Sequence, residues 1–198
     1  MPVGALCVFL AGFHSIIDPD IWFHLRAGRE ILAGHLPRTD TFSFPSAGNR
    51  YVDLHWIFQA IAAVVFRVGG EPALIWMSCL TVLGTYAIVF RLACRHAPAP
   101  LAAVLAAAGT IVASERFSPR PEILSFLWFA LSVWLLQRHR EGSRRAAWAV
   151  PVVMLLWVNS EGLFILGFLL LGAAILDAPR DRRLWQALGL SAAAAFVN

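Results

Sequence analysis

Long apolar blocks separated by short polar segments dominate the pattern of this 198-residue chain. Residues 1–17 form the first block, and residues 71–198 hold several more. A helix needs about 20 predominantly apolar residues to cross a bilayer core, so most blocks are predicted to be spans. The last block begins at Leu184 and is still apolar at Val197, next to the last residue, so its span is expected to be truncated. The pattern predicts one all-α module over residues 1–198, a polytopic transmembrane helical bundle of about seven spans.

Residues 18–70 form the longest polar stretch, and it contains two helical patterns that are too short to span. Residues 21–33 separate apolar from charged side chains: Ile21, Leu25, Ile31 and Leu32 on one side, and Arg26, Arg29 and Glu30 on another. Residues 54–68 are apolar and end at a Gly-Gly pair. The first is predicted to be a helix lying at the membrane interface, and the second an interfacial or re-entrant helix.

A polar tetrapeptide from Asn159 to Gly162 interrupts the longest apolar block, residues 146–176. A single helix over this block would be about 46 Å long, against a hydrocarbon core of about 30 Å. The interruption therefore predicts two short spans joined by a turn.

Composition agrees with a membrane protein. The chain is 59% hydrophobic and 14% charged, whereas soluble domains have roughly 25% charged residues. A soluble globule could not hide so much apolar surface. Net charge is +4, but the charges cluster between apolar blocks, which indicates membrane orientation and not nucleic-acid binding.

Arginine distribution predicts which loops face the cytoplasm. Three short loops carry arginine clusters: Arg91 and Arg95; Arg138, Arg140, Arg144 and Arg145; and Arg180, Arg182 and Arg183. By the positive-inside rule these loops are cytoplasmic. The 18–70 loop and the turns at 114–120 and 159–162 then face the outside, in a multi-pass protein of the bacterial cytoplasmic membrane.

The outer loop holds the first candidate chemistry. Asp18 and Asp20 flank a proline, and two such carboxylates can share a divalent cation or supply a general base. A carboxylate at the membrane surface is also an ordinary helix boundary. Further polar candidates share the loop: His24, Asp40, Asp53 and His55. Each histidine alone is more often structural.

Arginines on the predicted outer face are the second candidate. Arg116 and Arg120 could bind a phosphate, or they could pair with the nearby Glu115 and Glu122. Glu161, in the 159–162 turn, is a third candidate, because a lone acid between apolar half-helices needs water or a partner. The sequence contains none of four common catalytic or nucleotide-binding motifs: the phosphate-binding loop, the dinucleotide-binding glycine motif, the nucleophile elbow and the zinc-protease motif.

Several segments resemble the bacterial GT-C glycosyltransferase superfamily, in particular proteins with an RgtA/B/C/D-like or ArnT-like domain. They are DPDIWFHL (18–25), LPRTDTFSF (36–44), HW (55–56), RP (120–121) and LWVNSEG (156–162). The resemblance implies two juxtamembrane helices in the first extracytoplasmic loop and a catalytic acid at Asp18 or Asp20. Relatives often have tryptophan at Phe23 and histidine at Glu161. Relatives are also longer, which implies that this chain is an N-terminal fragment.

The leading hypothesis is a membrane glycosyltransferase that moves a sugar from a polyprenyl-phosphate donor to a lipid, glycan or protein. Asp18 or Asp20 would act as base or hold a divalent cation such as Mg or Mn. Arg116 or Arg120 would neutralise the leaving phosphate, and apolar grooves would hold the prenyl chain. The main alternative is a non-catalytic or degenerate membrane protein that binds lipid-linked precursors. A transporter is less favoured, because the acids cluster outside the membrane.

Overall fold

The computed structural model describes residues 18–36, 38–40, 44 and 48–197. The predicted first span, residues 1–17, lies outside the described residues. Within the described part the chain is helical, with an isolated antiparallel bridge between Thr39 and Arg50 and no strand. In chain order the helices are α1 (Asp20–Leu32), α2 (Trp56–Ala93), α3 (Ala99–Ala113), α4 (Glu122–Arg140), α5 (Arg144–Val158), α6 (Ile165–Asp177) and α7 (Arg182–Ala194). Short 3-10 turns, Ser114–Arg116 and Gly162–Phe164, follow α3 and precede α6.

Helix α2 consists of two arms that meet at a kink. Gly69 has φ −147° and ψ 17°, and Gly70 has φ 64° and ψ −152°, both outside helical values. The positive φ at Gly70 is a conformation that glycine adopts without the steric cost of a Cβ atom. The first arm is therefore residues 56–68 and the second 71–93. This confirms the prediction that the helix over residues 54–68 ends at the Gly-Gly pair.

The number of spans differs from the prediction. Within residues 18–36, 38–40, 44 and 48–197, two segments are long and apolar enough to cross a membrane, Trp56–Ala93 and Ala99–Arg116, whereas the sequence predicted about seven spans over the whole chain. The remaining described helices have 13 to 19 residues, and the two that flank the predicted turn at Asn159 are about 20–23 Å long. Polar turns divide the apolar blocks and leave most pieces shorter than an upright span, while α4, with 19 residues, ends in Arg138, His139 and Arg140.

Both candidate spans face outward over most of their surface. Only 28% of the apolar window in Trp56–Ala93 is buried, and only 11% of that in Ala99–Arg116. A core helix of a soluble protein would be mostly buried, whereas a helix that is apolar all round and exposed suits contact with lipid. Two helices of this chain could therefore cross a membrane.

The core has two parts. The larger lies among α4, α5, α6 and α7 and centres on the fully buried Trp157 and Met154. The smaller joins α1 to the first arm of α2, where Ile21 and Leu25 pack against Phe58. Through these contacts α1 docks on the first arm of α2.

The buried face of α1 differs in part from the predicted apolar side. Its buried residues are Ile21, His24, Leu25, Ala27 and Gly28. Ile31 is half-buried and Leu32 is exposed, although both were predicted to share the face of Ile21. The reason is the close approach at Gly28, where α1 lies against the backbone carbonyl of Gln59. Beyond this contact, Leu32 and Ala33 line a cavity together with Phe66 and Arg67 of α2 and are not packed into the core.

Ion pairs hold together the end of the bundle where α2, α4 and α6 finish. They join Arg95 and Arg138 to Glu141, His139 to Asp181, and Arg140 to Asp177. The three arginine-bearing loops thus meet at one end. The starts of α1, α4 and α6 lie at the opposite end, with most candidate site residues.

Candidate functional site

Arg120 links the two aspartates that precede and begin α1. Its Nε contacts Asp18 Oδ2, and its Nη2 lies 3.8 Å from Asp20 Oδ2. The backbone also fixes this geometry, because Asp20 N donates to Asp18 Oδ1 at 3.0 Å. A carboxylate in the first helical turn is favoured there by the helix dipole. The structure therefore brings together three of the predicted site residues.

The two aspartates differ in exposure. The side chain of Asp18 is 7% exposed, whereas that of Asp20 is 69% exposed. Asp18 is buried against the guanidinium and serves to anchor Arg120. Asp20 projects from the same cluster with its carboxylate open to solvent. Of the two aspartates, Asp20 is thus the one that a molecule in solution can reach.

The second predicted arginine has a different partner. Arg116 Nη1 lies 3.3 Å from Glu122 Oε2, in a pair whose arginine side chain is 63% exposed. Arg116 thus pairs with Glu122, as one of the two sequence interpretations expected, whereas Arg120 pairs with the two aspartates instead. Arg116 keeps most of its guanidinium accessible, whereas Arg120 is largely engaged with aspartate.

The donor set at this site does not fit a divalent cation. A guanidinium already occupies the position between Asp18 and Asp20 where a cation would bridge them. Among residues 18–36, 38–40, 44 and 48–197, no three His, Cys, Asp or Glu side chains are grouped so that they could hold a metal ion. Arg120 therefore supplies positive charge here without a metal.

Glu161 caps the turn that follows α5. Its Oε2 accepts hydrogen bonds from Ser125 Oγ and from the backbone N of Leu163, each at 2.6 Å. Ser125 Oγ in turn accepts from the indole N–H of Trp157 at 2.8 Å. The acid thus has the partners that its position requires, and it fastens the turn to α4. Ser125 was missed by the sequence analysis, since an isolated serine in an apolar helix gives no signal.

Asn159 links the same turn to the start of α2. Its Oδ1 accepts from Trp56 Nε1 at 2.7 Å, and its carbonyl accepts from Ile57 N at 3.1 Å. Its side chain also donates to the carbonyl of Leu155 at 2.8 Å. The sequence predicted only a turn residue here. The contact with Trp56 joins positions 103 residues apart, which no local pattern reveals.

A second polar cluster lies between α1 and α2. Asp53 Oδ1 accepts from His55 N at 2.9 Å and from Gln59 Nε2 at 3.2 Å, and the same Gln59 nitrogen lies 3.4 Å from His24 Nδ1. The rings of His24 and His55 have centroids 5.6 Å apart. Gln59 is fully buried and was missed by the sequence analysis, because it stands alone among apolar residues.

Asp40 lies in a different part of the 18–70 segment, between α1 and α2. Its backbone pairs with Asn49 and Gly48, at 2.8 Å in each case. Burial, followed by the negative charges of Asp53 and Asp40, raises the pKa of Tyr51 to about 12. Asp40 thus acts electrostatically on the Tyr51 hydroxyl.

Burial determines the charge states of the second cluster. Desolvation, with a smaller contribution from His55, lowers the pKa of His24 to about 4. Desolvation also raises the pKa of Asp53, against the hydrogen bonds from His55 and Gln59. His24 is therefore neutral at pH 7 and belongs to the interface between α1 and α2, as the structural interpretation of the histidine expected.

We expect stability to fall as the pH drops from 6.5 to 4. In that range the unfolded chain, with an ordinary histidine pKa of 6.5, binds a proton that buried His24 rejects until about pH 4. The loss approaches about 3 kcal/mol, and protonation of Asp53 offsets part of it at the acid end. The free energy of unfolding of the detergent-solubilised protein, measured across this pH range, tests the prediction.

A matched pair of histidine variants tests this dependence. His24→Gln should flatten the slope, whereas His35→Gln, at an exposed position beyond α1, should keep it. Equal slopes in the wild type and His24→Gln would contradict the assignment of the dependence to His24.

An apolar cavity of about 430 Å³ lies between the second arm of α2, α3 and α4. Phe117 closes it at the turn that carries Arg116 and Arg120, and Tyr86 and Phe129 line its walls. Phe117 packs there against Val82. A hydrocarbon chain fits such a lining, and the cavity extends to the turn between the two site arginines.

Known proteins add no assignment to this geometry. No protein-family model, no curated protein and no solved structure matches this chain. The choice of function therefore depends on the chemistry of the site residues and on the resemblance in the loop segments. What the described residues show is a helical protein in which two helices could cross a membrane.

Proposed function

We propose that this chain is a GT-C-like membrane glycosyltransferase that moves a sugar from a polyprenyl-phosphate donor to a lipid, glycan or protein acceptor. The reaction would take place on the outer face of the bacterial cytoplasmic membrane. The observation that carries the proposal is the exposed Asp20 carboxylate beside Arg120. Arg120 lies on the same turn as Phe117, which closes the apolar cavity.

Asp20 would act as general base on the acceptor. Its carboxylate accepts the proton of the acceptor hydroxyl as the oxygen attacks the anomeric carbon of the sugar. The bond between that carbon and the phosphate oxygen breaks, and the polyprenyl phosphate leaves with the electron pair. Arg116, whose guanidinium is mostly exposed, would neutralise the phosphate. Arg120, which is paired with Asp18, would add to the positive charge near the phosphate.

The apolar cavity would hold the first part of the prenyl chain. It is lined almost entirely by carbon atoms of three helices, and Phe117 lies between the two arginines in sequence. A chain in the cavity would bring its phosphate to the 114–120 turn. This placement supports a multi-pass topology in which the arginine-rich end faces the cytoplasm.

Transfer assays with an Asp20→Asn variant test the proposal. We expect at least about a 100-fold loss of labelled sugar transfer, because general-base catalysis contributes about 10²–10⁴-fold. Asp177→Asn is a matched control, since Asp177 is an exposed aspartate paired with Arg140 at the other end of the bundle. The control should retain wild-type transfer and membrane insertion.

Two outcomes would contradict the proposal. Unchanged transfer by Asp20→Asn would remove the base. A wild-type protein that binds polyprenyl-linked sugars from a panel, yet transfers none of them, would favour the non-catalytic alternative.

A further inference from the structure

A second cavity, of about 530 Å³, lies on the flank of the α1–α2 contact, away from the aspartate site. Its charged lining residues, in the described part of the chain, are Arg29 and Arg67. The other lining residues are apolar, and they include Leu25, Leu32 and Phe66. The lining therefore combines positive charge at the mouth with a hydrocarbon floor.

Neither guanidinium forms an ion pair within the described residues. Arg29 Nε donates to the carbonyl of Leu25, one turn earlier, at 3.3 Å. The nearby acid Glu30 is already 3.5 Å from Arg26. The two arginines are thus available for an external anion.

Arg67 is placed where lipid headgroups would lie. It lies two residues before the kink at Gly69, where the first arm of α2 meets the second arm. The second arm, residues 71–93, is about 34 Å long and the first arm about 20 Å, so the second matches a hydrocarbon core of about 30 Å. Val64 and Val68 are exposed on the first arm, as expected of a helix that touches lipid.

This cavity is separate from the proposed reaction site. Arg29 follows Asp20 by nine residues, which puts it about 13 Å along α1 and on the opposite side of that helix. A phosphate that leaves an anomeric carbon must lie next to the base that activates the acceptor. An anion held by Arg29 is therefore too far from Asp20 to be the leaving group.

We propose that Arg29 and Arg67 bind the phosphate of an anionic bilayer phospholipid, with the start of its acyl chain on Leu25 and Phe66. The bound lipid fixes the α1–α2 pair at the membrane surface. Arginine suits this role, because its planar donors match a phosphate and its stem packs on apolar surface. The proposal rests on membrane placement and does not require sugar transfer.

Lipid retention tests the site in purified full-length protein. Short-chain phosphatidylglycerol and phosphatidylcholine are titrated into delipidated protein in detergent, and bound lipid is counted by native mass spectrometry. The wild type should prefer phosphatidylglycerol, and the Arg29→Gln, Arg67→Gln double variant should bind it at least about tenfold more weakly. Arg26→Gln is the matched control, since it removes the same charge from α1 outside the cavity and should retain wild-type affinity.

Any one of four results would overturn the proposal. The first is equal binding of the two lipids by the wild type, and the second is wild-type affinity in the double variant. The third is displacement of the lipid by millimolar inorganic phosphate, which would leave the apolar floor without a role. If polyprenyl phosphate competes for this cavity and the double variant loses transfer, the site is the donor's and the separation from Asp20 is wrong. Circular dichroism of each variant confirms that α1 and α2 remain folded.

Discussion

Replacing Arg120 with leucine is expected to destabilise the protein by roughly 2–4 kcal/mol. The variant leaves the Asp18 carboxylate, which is 7% exposed, without its cation. Removing one partner of a buried ion pair typically costs about 3–5 kcal/mol, because the other charge stays buried and unpaired. The lower range applies here because Arg120 itself is about one-third exposed. Unfolding in mixed detergent micelles measures the change.

Arg116→Leu is the matched control for this prediction. It removes an arginine four residues away, whose pair with Glu122 is largely exposed, so the expected loss is below about 1 kcal/mol. Adding Asp18→Asn to Arg120→Leu should recover part of the stability, since the buried charge is then gone. Equal losses in Arg120→Leu and Arg116→Leu would show that Asp18 is not buried against Arg120.

Gly28→Ala is expected to destabilise the α1–α2 contact by about 1–3 kcal/mol, and Gly28→Leu by more. A Cβ atom at position 28 would lie 2.7 Å from the carbonyl carbon of Gln59 and 2.8 Å from the Ala63 Cβ. Because the first obstacle is backbone, no change of rotamer relieves it. The whole of α1 must move, which also disturbs the contact between His24 Nδ1 and Gln59 Nε2, now 3.4 Å.

The control is Gly172→Ala, in the interior of α6, where an added Cβ meets nothing within 4 Å. Alanine has the better helix propensity, so this variant should be neutral or more stable by up to about 1 kcal/mol. Protease cleavage after Arg26 and Arg29 reports whether α1 remains docked. Resistance to cleavage in Gly28→Leu equal to that of the wild type would contradict the close approach.

The two aspartates illustrate how a structure divides a sequence motif. Asp18 and Asp20 were equal candidates for a base, since two residues of spacing says nothing about burial. Contact with Arg120 separates them into a buried anchor and an exposed carboxylate. The same contact also weakens the divalent-cation hypothesis, because the bridging position already carries a positive charge.

The elements of this protein follow from its local sequence. Residues 21–33 and 54–68 were predicted as short helices, and α1 and the first arm of α2 match them within a few residues. The breaks at Gly69 and Asn159 were also predicted, because glycine and asparagine are favoured where a helix must end. These features depend on neighbouring residues alone, so periodicity and turn chemistry determine them.

The number of spans and the contents of the site depended on the tertiary structure. Block counting overestimated the spans, because polar turns leave most of the helices too short. The partners of Asp18, Glu161 and Asn159 lie far away along the chain, at Arg120, Ser125 and Trp56. The sequence by itself determined where helices form and which polar residues needed a partner. Only the packing of distant helices decided which partner each one has, because contacts across many residues have no local pattern.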